Sequence, residues 1–107
     1  MAVVKKAKVS SETIETLNVN PGVGGARVNK ARYEAMREAL LKAVPRSEEG
    51  IAFRALPNVV KEYLPGGELP GGGSIGWYVT TVKLDLEARG MLERLEGVTP
   101  QRLRRRG

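Results

Sequence analysis

A chain of 107 residues, 41% hydrophobic and 28% charged, is the length of one small domain with a single modest core. It contains neither Cys nor His, which removes disulfides, thiol nucleophiles, zinc ribbons and the commonest general base. The balance of 18 Lys and Arg against 12 Asp and Glu gives a charge of +6 and a pI near 10.0, a pointer towards an acidic partner such as nucleic acid.

That charge is unevenly placed. Lys5, Lys6 and Lys8 bring +3, Arg102, Arg104, Arg105 and Arg106 bring +4, and the remaining chain carries −1. No run approaches the ~18 consecutive apolar residues of a membrane span, and the first residues lack the apolar core of a signal peptide. A cytoplasmic protein is expected. A single Gln and four Asn beside abundant Arg and Glu lean towards a thermophilic source.

Residues 1–12 read as a disordered basic arm, and residues 13–107 as one domain with a mobile basic C-terminal end. Ile14, Leu17 and Val19 form a short apolar pattern, either an edge strand or a segment lying across the body. Asn20-Pro21-Gly22-Val23-Gly24-Gly25 follows as a turn. Asn29 is an N-cap, and the helix it opens runs to Val44, where Pro45 stops it. Tyr33, Met36, Leu40 and Val44 fall on its core face.

Ile51-Ala52-Phe53 reads as a three-residue strand, and Leu56 to Leu64 as a second helix with Pro57 in its first turn. Pro65 to Gly73 is too rich in Gly and Pro for helix or strand and reads as a flexible connector. Ser74 caps a third helix that runs from Ile75 to about Arg89 and ends at Gly90. Ile75, Val79, Val82 and Leu86 make its inward stripe. Trp77, Leu84 and Ala88 make a second stripe on nearly the opposite side. Met91–Glu96 and Gln101–Arg104 read as hairpin strands joined by Gly97-Val98-Thr99-Pro100.

Helix, short strand, two helices and a hairpin is the order of a winged helix. The run Leu86-Glu87-Ala88-Arg89-Gly90-Met91-Leu92 resembles the end of a winged-helix recognition helix and its first wing strand, with Gly90 supplying a positive φ. The segments Ile14-Glu15-Thr16-Leu17-Asn18-Val19-Asn20-Pro21-Gly22, Tyr33 to Leu41, and Gly76-Trp77-Tyr78 with Thr81 to Gly90 resemble a family of short bacterial proteins of unknown function described as winged-helix-like. That resemblance implies an α+β fold with three helices plus a C-terminal β-hairpin wing, and no mechanism. One departure stands out, because the Pro65–Gly73 loop replaces the usual three- or four-residue turn.

In a DNA-reading winged helix the third helix presents polar side chains to the major groove. Here that wedge is Thr80, Lys83 and Glu87, with no Arg, Asn or Gln before Arg89, so base readout is poorly provided for. Arg94, Arg102, Arg104, Arg105 and Arg106 on or after the hairpin, together with Lys5, Lys6 and Lys8, are the candidate phosphate contacts. Trp77 has two readings: packed between helix and hairpin, or exposed with Leu84 as an anchor for a protein partner or for self-association. Pro70-Gly71-Gly72-Gly73-Ser74 lacks the Gly-Lys-Ser/Thr ending of a phosphate-binding loop. The acids are scattered, Asp85 and Glu87 point to different sides of a helix, and no carboxylate cluster suggests a metal.

The sequence thus predicts a non-enzymatic protein without a metal or cofactor. Its first functional expectation is a nucleic-acid-binding regulator or accessory factor that holds double-stranded DNA by nonspecific phosphate contacts. The alternative is a protein-interaction module using the Trp77 and Leu84 side. The sequence leaves the oligomeric state open.

Overall fold

The computed structural model describes residues 11–106. The expected basic arm, with Lys5, Lys6 and Lys8, lies outside them except for Ser11 and Glu12. Glu12 is already tied to the body, because the Lys30 N–H donates to its carbonyl at 2.8 Å.

The described residues form an α+β domain of three helices and two small antiparallel sheets. Strand β1 (Thr13–Glu15) pairs with β2 (Arg27–Asn29), so the apolar segment expected near residue 14 is a strand, closed by the Asn20–Gly25 turn. The second strand runs directly into helix α1 (Lys30–Ala43). The Asn29 side chain accepts the Arg32 N–H, satisfying one of the donors that a helix start leaves free. Val44 turns extended ahead of Pro45, the backbone that a following proline favours. Tyr33, Met36, Ala39 and Leu40 face inward from α1, the periodicity that marks a buried helix face.

Strand β3 (Ile51–Ala52) is one residue shorter than expected, because Phe53 already begins a tight turn. Helix α2 holds only Leu56–Val59 in α geometry and tightens into a 3₁₀ turn over Val60–Tyr63. Pro65 sets this limit, since Leu64 before it must be extended and the last turn has no room to continue. The Pro65–Gly73 connector is held more firmly than its composition implies. Leu69 is buried in it, and the Arg32 guanidinium donates to the Pro70 and Gly71 carbonyls at 2.9 Å each.

Helix α3 (Ile75–Ala88) starts at Ser74, whose Oγ accepts the Trp77 N–H at 3.1 Å. It ends at Gly90, which takes φ +78 as the sequence requires. Strands β4 (Leu92–Arg94) and β5 (Arg102–Arg105) complete the hairpin, and β5 lies between β3 and β4. The C-terminal arginines are therefore not a mobile end. Arg102 to Arg105 form the central strand of the sheet, with Leu103 fully buried opposite Ile51 and Arg94. The Arg106 N–H still bonds the Met91 carbonyl at 3.0 Å. A strand in the middle of a sheet has both edges paired, which fixes these arginines on the folded body.

One glycine is essential to this closure. Gly50 has φ +62, and a Cβ there would sit 2.1 Å from the Leu103 carbonyl oxygen, on the central strand. Gly50→Ala should combine that clash with a left-handed backbone and destabilise the domain by about 2 kcal/mol or more. Gly24→Ala, with open space around it, should stay within about 0.5 kcal/mol of wild type. Urea denaturation of the two variants beside the parent measures the difference.

Candidate interaction surface

Helix α3 runs between the β1–β2 turn, α1 and the hairpin, and its charged residues point inward. Asp85 is 0% exposed. It accepts the Tyr33 hydroxyl from α1, the Leu17 N–H at 2.8 Å from the segment after β1, and Arg89 Nε at 2.9 and 3.0 Å from its own helix. Burial alone would raise its pKa. The bonds from Arg89, Tyr33 and Leu17 outweigh burial and hold the carboxyl below the usual aspartate range. Burial, reinforced by the facing carboxylate, pushes Tyr33 up to about 12.

Glu87 is the second buried acid. Arg94 from β4 donates to it at 2.7 and 3.1 Å, and Lys83 one turn back lies at 3.3 Å. Lys83, expected in the outward polar wedge, is only 3% exposed. Its ammonium sits 4.9 Å from the centre of the Phe53 ring. Burial lowers the pKa of Lys83 and the Glu87 charge opposes that fall. The expected wedge presupposes a helix covered on one side, whereas the Phe53 turn and β4 cover this helix on a second side as well. Lys83 and Glu87 are thus unavailable to a groove.

The remaining candidate phosphate contacts are engaged to different degrees. Arg94 is held by Glu87, with a further 3.4 Å contact to Asn20. Arg102 donates to the Glu49 and Gly50 carbonyls at 2.7 and 3.2 Å, clamping the loop before β3. Arg104 pairs with Glu93 across the hairpin. Arg105 is half-buried against α1, in a groove it shares with Glu34, Arg37, Glu38 and Lys42, and its buried Nε has no hydrogen-bond partner among the described residues. Arg106 is exposed, 3.9 Å from Glu93.

The outward face of α3 is what this arrangement leaves. Trp77 is 48% exposed, so the reading that packs it between helix and hairpin is corrected. It touches Tyr78 edge-on, with ring centres 5.0 Å apart. Leu84 and Thr81 are half-buried, and Thr80 and Ala88 are exposed, with the Thr80 hydroxyl donating back to the Gly76 carbonyl at 3.2 Å. Beside this stripe a shallow groove of about 110 Å³ runs between α3 and the β1–β2 turn, lined by Leu17, Thr81 and Leu84 among others. Leu17 is itself exposed, although its N–H is tied down to Asp85. Trp77 and Leu84 are therefore brought together on one uncharged face, while the candidate arginines Arg94, Arg102, Arg104 and Arg105 lie on the sheet.

The Asp85 cluster escapes a reading of the sequence. Its available signal is the i, i+4 pair of Asp85 and Arg89 beside an apolar stripe, with Tyr33 on the core face of another helix. Among the described residues no group of His, Cys, Asp and Glu gathers as a metal site, and no helix is long and apolar enough to cross a membrane.

Fold and surface together define a small α+β domain with a charged interior seam and an uncharged helix face turned outward. The chain belongs to the family of unknown function DUF6958, whose model matches residues 13–103. No curated protein and no solved structure matches it.

Tyr33→Phe should lower stability by about 1.5–3 kcal/mol, the range for a hydrogen bond to a charged group. The acid limb gives an independent check. A depressed folded value means that the Asp85 contribution is complete above the ordinary carboxylate range near pH ~4 and disappears as the pH falls through the folded value. Urea midpoints taken downward from neutral pH should therefore fall below about pH 4, and Asp85→Asn should start lower but show a flatter acid limb.

Proposed function

We propose that this protein is a winged-helix-type docking module that binds another protein through the outward face of α3. Support for the winged-helix reading comes from the element order α1, β3, α2, α3, β4, β5 and the sheet order β3-β5-β4, with the β1–β2 hairpin as an N-terminal addition. The observation that carries the docking reading is the replacement of the polar recognition face by Trp77, Thr80, Thr81, Leu84 and Ala88. A base-reading helix needs Arg, Lys, Asn or Gln aimed at the groove. A protein-docking face needs a large aromatic anchor that can be desolvated without stranding a charge. Trp77 and its surroundings meet the second requirement.

A second reading, a regulator or accessory factor on duplex DNA, draws on Arg106 at the end of the sheet and on Lys5, Lys6 and Lys8. Such contacts are to phosphate, sequence-independent and salt-sensitive.

Panning a random peptide library separately on the parent chain and on Trp77→Ala tests the docking reading. Peptides selected on the parent should lose at least about tenfold in affinity for the variant, the effect of removing a hot-spot aromatic. In parallel, anisotropy with a duplex across a salt series should show at most weak binding that salt abolishes and Trp77→Ala leaves unchanged. Tight, salt-resistant duplex binding that depends on Trp77 would overturn the docking reading.

A further inference from the structure

We propose that the occupant of the α3 face is a second copy of this chain, packed antiparallel against the first through α3. The inference rests on the reading of this face as a protein-docking surface and names its partner. Trp77, Thr81, Leu84 and Ala88 follow one another at steps of four, three and four residues, the spacing of a coiled-coil seam. A two-fold axis passing opposite the Val82–Lys83 peptide sets residue 77 of one copy against residue 88 of the other, and 81 against 84. Each layer then joins a large side chain to a small one, Trp77 to Ala88 and Leu84 to Thr81.

Complementarity of this kind is a property of the stripe with itself, as an isologous interface requires. A parallel pairing would set Trp77 on Trp77 and Ala88 on Ala88, with overcrowding at one end and a gap at the other. Charge favours the same arrangement. The four stripe residues and Thr80 bring no like charges together, and antiparallel helices place the positive end of each dipole beside the negative end of the other.

Area sets the expected strength. Helix α3 has 14 residues, so it is about 21 Å long and about 10 Å wide. A pair of such helices alone falls short of the ~800 Å² per partner of a standard interface. Leu17, exposed and lining the groove beside Thr81 and Leu84, extends the contact sideways. The dimer should therefore be reversible and dissociate in the micromolar range. Two-fold closure stops assembly at two copies.

Sedimentation of the full chain over a wide concentration range tests this, with emission of Trp77, the sole tryptophan, followed in the same samples. A monomer should give way to a dimer as concentration rises, while the emission shifts from that of a water-exposed indole to the blue. Thr81→Glu and Leu84→Lys should each raise the dissociation constant at least about tenfold. Both positions lie on the outer face, and circular dichroism confirms that each variant is folded. Mixing these two variants should restore a dimer, because only the antiparallel register sets the introduced carboxylate of one chain against the introduced ammonium of the other.

A chain that stays monomeric at every concentration, with a water-exposed indole throughout, overturns the self-association and leaves the docking face standing. A buried indole in the dilute monomer overturns both readings. A dimer unaffected by either substitution, or one not restored by mixing, overturns the α3 register.

Discussion

A single buried carboxylate organises the rest of the molecule. Apolar burial supplies most of the cohesion of a domain this size, but it is non-directional and tolerates small slides of one element over another. Asp85 does not tolerate them. Its oxygens are met by a hydroxyl from α1, a backbone amide from the segment after β1 and a guanidinium from the end of α3. Each donor lies in a different part of the chain, so a displacement of any one of them leaves buried polar groups unsatisfied, at a cost that apolar contacts do not impose. The N-terminal hairpin sends Val28 into the core, with Ile14 and Ala26 packed beside it, and this bond adds a directional tether to the three-helix body.

The same interaction explains the surface. Because the Leu17 amide is drawn onto Asp85, the chain lies alongside α3, and the exposed Leu17 side chain stands beside Leu84. On another side of the helix, Glu87 gathers Lys83 and Arg94 and fastens the hairpin. Helix α3 thus carries its ionised groups inside and its tryptophan outside. This inverts the usual distribution. Buried ion pairs of this kind contribute little net stability against well-packed apolar side chains, but they restrict the geometries a structure can adopt. Here they fix where the hairpin and the β1–β2 turn stand relative to the exposed stripe.

What the sequence can reveal divides along the same line. The helix starts at Asn29 and Ser74, the stop at Pro45 and the positive φ at Gly90 are local. Each is decided by one residue and its immediate neighbours, so each is legible. The inward stripe of α3 is legible for the same reason. Lys83 is misplaced because helical periodicity tells which residues share a face but not how many faces are covered. The turn at Phe53 and the arginine of β4 that enclose it come from 30 residues earlier and 11 residues later in the chain. Trp77 illustrates the converse. A lone tryptophan near a core helix is ordinarily buried, and only the full set of packed elements shows that the described chain leaves about half of this one uncovered.

The basic charge is resolved in similar terms. A total of +6 counts cations without asking what they face. In the sheet, Arg102 holds the loop ahead of β3 through backbone carbonyls and Arg104 is matched by Glu93, so two of the C-terminal arginines serve to close the fold. Recruiting them to phosphate would mean breaking contacts that hold the central strand in place, whereas a chain built to grip DNA through its wing has reason to leave such side chains free. On α3, charge has been withdrawn from the outer face and apolar surface put in its place. Both displacements lower the affinity expected for a polyanion, and the second raises the affinity expected for another apolar surface. That convergence of two independent features is what favours the proposed docking reading of the α3 stripe over one built on net charge.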